Sequence, residues 1–278
     1  MKFSIIIPVY NSSNYIIRCL DSIKKQIYNN FECIIIDDGS TDNSFSICND
    51  YIKSDSRFKI IHQENKGVSV ARNAGLNAVT GDYIVFVDSD DFIELNLLQE
   101  LNETIQEFSN AIVQYGFFGW NNNSKTRYLY NNPSFDVKAG NMGVVWRHAF
   151  PADLIGNLRF DEKLSGGEDY LFVNEALSKI NNIVLIRKCL YNHFFDNTSS
   201  IMNNISIDLL KQQVDSTNKV INLYKSKMDR ETISALKIRK EWCKIELIQY
   251  TLNLFDEKPS KLRKIWRKII RKISLKLA

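Results

Sequence analysis

Three short apolar runs rich in branched residues, each stopped by a proline or a carboxylate, fix most of what this chain can become. They are Phe3 to Val9 (FSIIIPV), Cys33 to Asp37 (CIIID) and Tyr83 to Asp88 (YIVFVD). Runs without polar alternation suit strands buried on both faces, the kind found in parallel sheets covered by helices. Between them the spacing turns helical: Tyr15, Ile16, Cys19, Leu20 and Ile23 predict a helix over Ser13 to Gln26. The unit then recurs. A turn over Asp38 to Thr41 leads to a helix over Asp42 to Lys53, then a strand at Phe58 to His62 and a helix at Val68 to Val79. The Tyr83 strand is followed by a helix at Glu94 to Phe108.

Strands alternating with helices of this length imply right-handed crossovers. The expected fold is α/β, a Rossmann-like, mostly parallel sheet flanked by helices. Ligands in such sheets bind beyond the carboxyl ends of the strands. Asp37 and Asp38 end the second strand, while Asp88, Asp90 and Asp91 end or follow the fourth, so two acidic clusters distant in sequence can face one cleft. After about residue 110 the pattern loosens. A strand at Ala111 to Phe118, a polar loop at Asn121 to Gly140, a helix at Glu168 to Ile180 and a strand at Ile183 to Arg187 are expected. Two helices then occupy Ile205 to Phe255. This divides the chain into an α/β unit over 1–204, with halves 1–109 and 110–204, a helical extension over 205–257 and a basic segment over 258–278.

With 44% hydrophobic and 24% charged residues in 278, disorder is not expected. No apolar run reaches the roughly 18 residues of a spanning helix, and no cleavage-site pattern follows the start, so the chain is expected neither to be exported nor to cross a membrane. Cys19, Cys33, Cys48, Cys189 and Cys243 form an odd set without a CxxC pair, which reads as reduced thiols in a cytosolic protein.

Asp88 and Asp90 flank Ser89, a spacing that lets the turn after a strand aim both carboxylates at one hard cation such as Mg²⁺ or Mn²⁺, completed by water and a diphosphate. Equally, these acids can cap the next helix, with Asp91 as N-cap and Glu94 as its partner. The segment Asn65 to Leu76 (NKGVSVARNAGL) carries an interior helical glycine, Gly75, which costs about 1 kcal/mol relative to alanine and implies a close approach. Arg72 on that helix can reach a phosphate or base edge, or can be an ordinary surface arginine. Tyr10, in Pro8-Val9-Tyr10-Asn11 at the ligand edge of the first strand, can stack on a base, though taken alone it reads as core. Gly166 and Gly167 make a turn before Glu168 and Asp169, whose charges the helix dipole favours; capping alone explains those two acids. His193 is a lone histidine, and such residues are more often structural.

Together these pieces resemble glycosyltransferase family 2, of the bacterial surface-polysaccharide type, in the family's order: Pro8 to Asn11, Asp37-Asp38-Gly39-Ser40, the Asn65 to Leu76 segment with Ala71-Arg72-Asn73, Asp88 to Asp91, and Glu168-Asp169. The resemblance implies the A-type (GT-A) glycosyltransferase fold and an inverting, metal-dependent hexosyltransferase with an Mn or Mg cofactor. Pro8, Val9, Tyr10, Asp38, Arg72, Asp88 and Ser89 would bind the nucleotide-sugar donor, with a UDP-sugar expected. Asp90, with Asp88, would hold the metal, and His193 would touch diphosphate or metal. Asp169 would be the general base, with Glu168 as its neighbour and second choice. One sugar would move per binding event to a hydroxyl of a saccharide, lipid-linked in many relatives, during capsule, O-antigen or similar synthesis.

Net charge is +4, but residues 258–278 hold nine Lys or Arg and no acid, leaving 27 basic against 32 acidic residues elsewhere. Leu262, Ile265, Trp266, Ile269, Ile270 and Ile273 form one helical stripe there, as in a helix lying on an anionic leaflet. A core-packing helix with a solvated basic face is the alternative. A cytoplasmic protein peripheral on the inner face of the cell membrane is the expectation, and nucleic acid is not an expected partner. A nucleotidyltransferase would carry a glycine-rich loop where Pro8 to Asn11 stands, and a dehydrogenase a GxGxxG. A catalytically inactive sugar-nucleotide-binding partner in a polysaccharide assembly complex is the non-enzymatic alternative.

Overall fold

The computed structural model describes residues 1–121, 124–128, 143–180, 182–195 and 206–225, with isolated positions 237, 240, 241, 243 and 244. The basic segment 258–278, most of the polar loop over 121–140 and most of the second helix expected before residue 255 lie outside the described residues.

The apolar runs form a parallel core sheet. β1 (Phe3–Val9), β2 (Phe31–Asp38), β3 (Phe58–Gln63) and β4 (Tyr83–Phe86) pair in the order β3-β2-β1-β4, with Ile5 opposite Cys33 and Val85. Alternate β1 side chains divide between two cores. Ile5 and Ile7 pack with Ile16 and Leu20 of α1 (Ile16–Lys24), Cys48 of α2 (Ser44–Ile52) and Leu97 and Leu101 of α4 (Leu97–Glu107). Ile6 faces the other way, toward Ala71 and Leu76 of α3 (Val68–Asn77). The close approach expected at Gly75 comes from Ile6: a Cβ added there would lie 2.5 Å from Ile6 Cγ2.

Beyond β4 the sheet continues through β8 (His148–Pro151), β6 (Ile112–Asn121), β9 (Ile183–Phe194) and β5 (Phe92–Ile93), while β7 (Ser124–Tyr128) pairs with β6. β8 runs antiparallel to both β4 and β6, and β6 runs parallel to β9, so six of the nine strands point one way; the first four pair in parallel, as expected, while four of the eight pairings, all beyond β4, are antiparallel and make the sheet mixed. α6 (Glu168–Leu177) and α7 (Ile207–Tyr224) cover the α3 face, where Phe172 and Val220 join Ile6 in one core. The helix expected from Glu94 starts instead at Leu97, because Phe92 and Ile93 pair antiparallel with Tyr191 and Asn192 of β9. All five cysteines are buried.

Candidate active site

Arg72 joins the two halves of the chain. Its side chain is only 5% exposed, yet its fork reaches three carboxylates: Nη1 donates to Asp169 Oδ1 at 2.5 Å and Glu168 Oε1 at 3.2 Å, and Nη2 to Asp88 Oδ1 at 3.1 Å. The guanidinium therefore lies beneath the cleft between the end of β4 and the start of α6, rather than as an arginine on an open surface. A planar, always-charged fork suits this arrangement, since its two amino groups face acceptors on two sides of the site. Burial pushes the Asp169 carboxyl up, Arg72 draws it back, and Glu168 and Asp88 push it up again, leaving it at about 8.

Asp38 is 3% exposed and accepts from the Lys66 and Gly67 amides at 2.9 and 2.8 Å and from Gln63 Nε2 at 2.7 Å. It thus ties the end of β2 to the turn that opens α3. Asp37 is buried against His62 Nδ1 at 2.7 Å. Of the Pro8 to Asn11 segment, Val9 is fully buried while Tyr10 is 49% exposed at the carboxyl end of β1, so the core placement of Tyr10 is corrected. The chain leaves the strand at Asn11 with φ of 50°. Ser89 is buried with its hydroxyl 2.6 Å from that of Ser12.

Asp91 is not a helix cap. It is fully buried and accepts from the Tyr191 hydroxyl at 2.7 Å, the Phe194 amide at 2.8 Å and, at 3.0 Å, His193 Nδ1. The same Tyr191 hydroxyl accepts from the Asp88 amide at 3.1 Å. The end of β9 is thereby fastened to the turn carrying Asp88 and Asp90. Burial raises the Asp91 carboxyl even against the pull of His193. Burial disfavours the His193 cation, but Asp91 more than offsets this and raises the ring above its ordinary value. His193 is stacked on Trp146 at 5.0 Å, and Trp146 follows Val145, whose amide donates to Asp169 Oδ2 at 3.4 Å.

Among the described residues, no group of three or more His, Cys, Asp or Glu converges as a metal cage. Asp88, whose side chain is 26% exposed, and Asp90, one residue past Ser89, nevertheless make the donor set that Mg²⁺ or Mn²⁺ uses when a diphosphate supplies other ligands. Two residues that sequence reasoning missed are Tyr191 and Trp146. Neither stands in a pattern, and their partners Asp91 and His193 are distant in sequence or on another strand.

Residues 4–163 match the family described as Glycosyl transferase family 2. Glycosyltransferase GlyA of Streptococcus pneumoniae is 35% identical over 210 residues, which cover 68% of this chain and 30% of GlyA. The chain thus spans less than a third of that relative's length. The crystal structure of S. aureus TarS 1-349 with UDP-GlcNAc matches with a TM-score of 0.73 at 23% identity, over 86% of this chain and 72% of that one. Mannosyltransferase PcManGT from Pyrobaculum calidifontis, in complex with GDP-Man and Mn²⁺, matches with a TM-score of 0.62 at 15% identity, over 99% and 86%. These two likenesses show the fold.

Proposed function

The chain belongs to glycosyl transferase family 2, and from that premise we propose that it moves one sugar from a nucleotide-diphosphate sugar, a UDP-sugar first, to a hydroxyl of a saccharide acceptor. The observation that carries the reading is the Arg72 clasp, which brings Asp88 from the expected donor side and Asp169 from the expected acceptor side to one buried cation.

Asp169 takes the proton of the attacking acceptor hydroxyl; the new bond forms from that oxygen to the anomeric carbon, and the bond to the diphosphate breaks. A single displacement of this kind inverts the anomeric centre. A carboxylate raised to about 8 is a stronger base than an ordinary aspartate. Asp90 and Asp88 would hold a divalent cation, which stabilises negative charge on a leaving diphosphate. Tyr10, exposed at the carboxyl end of β1, stands where a base can stack. Asp38 and Val9 shape that edge from beneath. Surface-polysaccharide synthesis on a lipid-linked acceptor, with residues 258–278 resting on an anionic leaflet, completes the proposal; no helix among the described residues is long and apolar enough to cross a membrane.

Release of nucleoside diphosphate from a panel of UDP, GDP and dTDP sugars, with Mn²⁺ or Mg²⁺ and candidate saccharides, tests this. Asp169→Asn is expected to lower turnover by roughly 10²–10⁴-fold, and Asp90→Ala to abolish the response to metal. The wild-type kcat/KM is expected to rise with pH through about 8 as Asp169 loses its proton. Full activity in both variants would refute the site.

A further inference from the structure

The turn that delivers Glu168 and Asp169 is seated on a helix outside the family match. Gly166 and Gly167 lie against α7 with no room for a side chain: a Cβ on Gly166 would meet Leu209 Cδ1 at 2.3 Å, and one on Gly167 would meet Ser216 Oγ at 2.4 Å. Gly167 also has a φ of 81°, a conformation that favours glycine. Gln212, one turn along α7, accepts from the Ser165 amide at 2.6 Å and from its hydroxyl at 3.2 Å. Further along, Lys219 pairs with Asp161, and the Tyr224 hydroxyl donates to the Asn174 carbonyl of α6 at 2.9 Å. Ser216 and Thr217 are buried and turn their hydroxyls back to the Gln213 carbonyl at 3.0 and 2.7 Å, so the helix presents small side chains to the turn.

We infer that α7 is a positioning element for the reaction, with Leu209 and Gln212 as positioning residues that set where Asp169 stands. This rests on the proposed transferase reading. The first turn of α6 is held between two supports: Arg72 fixes its carboxylates from the cleft, and α7 fixes its backbone from behind. Neither Leu209 nor Gln212 touches the cleft carboxylates, so their effect is on geometry. A base displaced by a fraction of an ångström loses turnover without losing donor affinity, because the donor-side contacts lie on β1, β2, α3 and the β4 turn.

A size swap tests this in the full chain. Gly166 does not have a positive φ, so Gly166→Ala is tolerated by the backbone itself and its Cβ strikes only α7. We expect Gly166→Ala to lower kcat roughly tenfold with the donor KM within about twofold of wild type. Adding Leu209→Ala, which removes the struck methyl, is expected to restore most of kcat. Gln212→Leu is expected to lower kcat in the same pattern, and Lys211→Ala, exposed on the same helix, to change nothing. Melting temperatures of all variants separate loss of fold from loss of geometry. If Gly166→Ala and Gln212→Leu turn over like wild type, or if Leu209→Ala fails to rescue while the fold is intact, the inference is overturned. If the wild-type chain neither binds nor turns over any donor, the proposed function fails instead.

Discussion

Arg72 divides its fork unequally, one amino group to Glu168 and Asp169 and the other to Asp88. Removing it would leave three carboxylates crowded in a site largely closed to water. Buried pairs broken from one side are costly, about 3–5 kcal/mol, because the surviving charge keeps its desolvation penalty without compensation. Arg72→Ala should therefore destabilise by about that amount in urea unfolding at pH 7.5, and Arg72→Lys should recover only part of it, since a point charge cannot serve three acceptors as a fork does. A loss below about 1 kcal/mol in Arg72→Ala would mean that water already compensates the cluster.

At the scale of elements, α3 lies close on β1 because Gly75 offers no side chain to Ile6. Gly75→Ala forces a Cβ to 2.5 Å from a methyl in a closed core, and overpacking of this kind costs about 1–3 kcal/mol. That exceeds the gain in helix propensity, about 1 kcal/mol, so the expected net change, read from chemical denaturation, is a loss. The same region shows what the sequence made legible. β1, β2 and β4 are buried on both faces, so their apolar runs announce themselves, and the aspartates that end β2 and follow β4 mark the cleft edge. β5, β7 and β8 do not, being two, five and four residues long; β5 and β8 are formed by pairing with partners far along the chain, and β7 is the short polar return of a hairpin with β6. Asp91 was misread for a related reason. An aspartate three residues before a glutamate has the spacing of a capping box, and only the return of β9 supplies the Tyr191, His193 and Phe194 donors that claim it. Glu168 and Asp169 were legible as a helix start, but their joint hold on Arg72 depends on folding that no local pattern encodes.

Across the whole molecule, acid should act early through a buried histidine that the proposed reaction does not use. His148 is fully buried in β8, its Nδ1 3.0 Å from the Val144 carbonyl and its Nε2 2.9 Å from Gln114. Burial, with Arg147 beside it, pushes the ring down to about 3. The unfolded chain binds this proton near the ordinary value of about 6.5, so the stability His148 contributes is present above that pH and is lost as pH falls toward 3. Unfolding free energies from urea melts at pH 7.5, 6 and 5 should fall more steeply in wild type than in His148→Gln, by up to about 1.4 kcal/mol per pH unit. Parallel slopes would remove His148 from the acid response.

β8 lies between β4 and β6 but follows both in the chain. A ribosome that has released residue 121 has made two strands whose shared neighbour does not yet exist, and each holds out a row of unpaired amides and carbonyls. The first four strands can assemble as they emerge; the rest of the sheet must wait for His148 to Pro151 to slot in between. Until those four residues arrive, the nascent chain is two separate edges, and that interval is when it is most open to pairing with a neighbour on the same message.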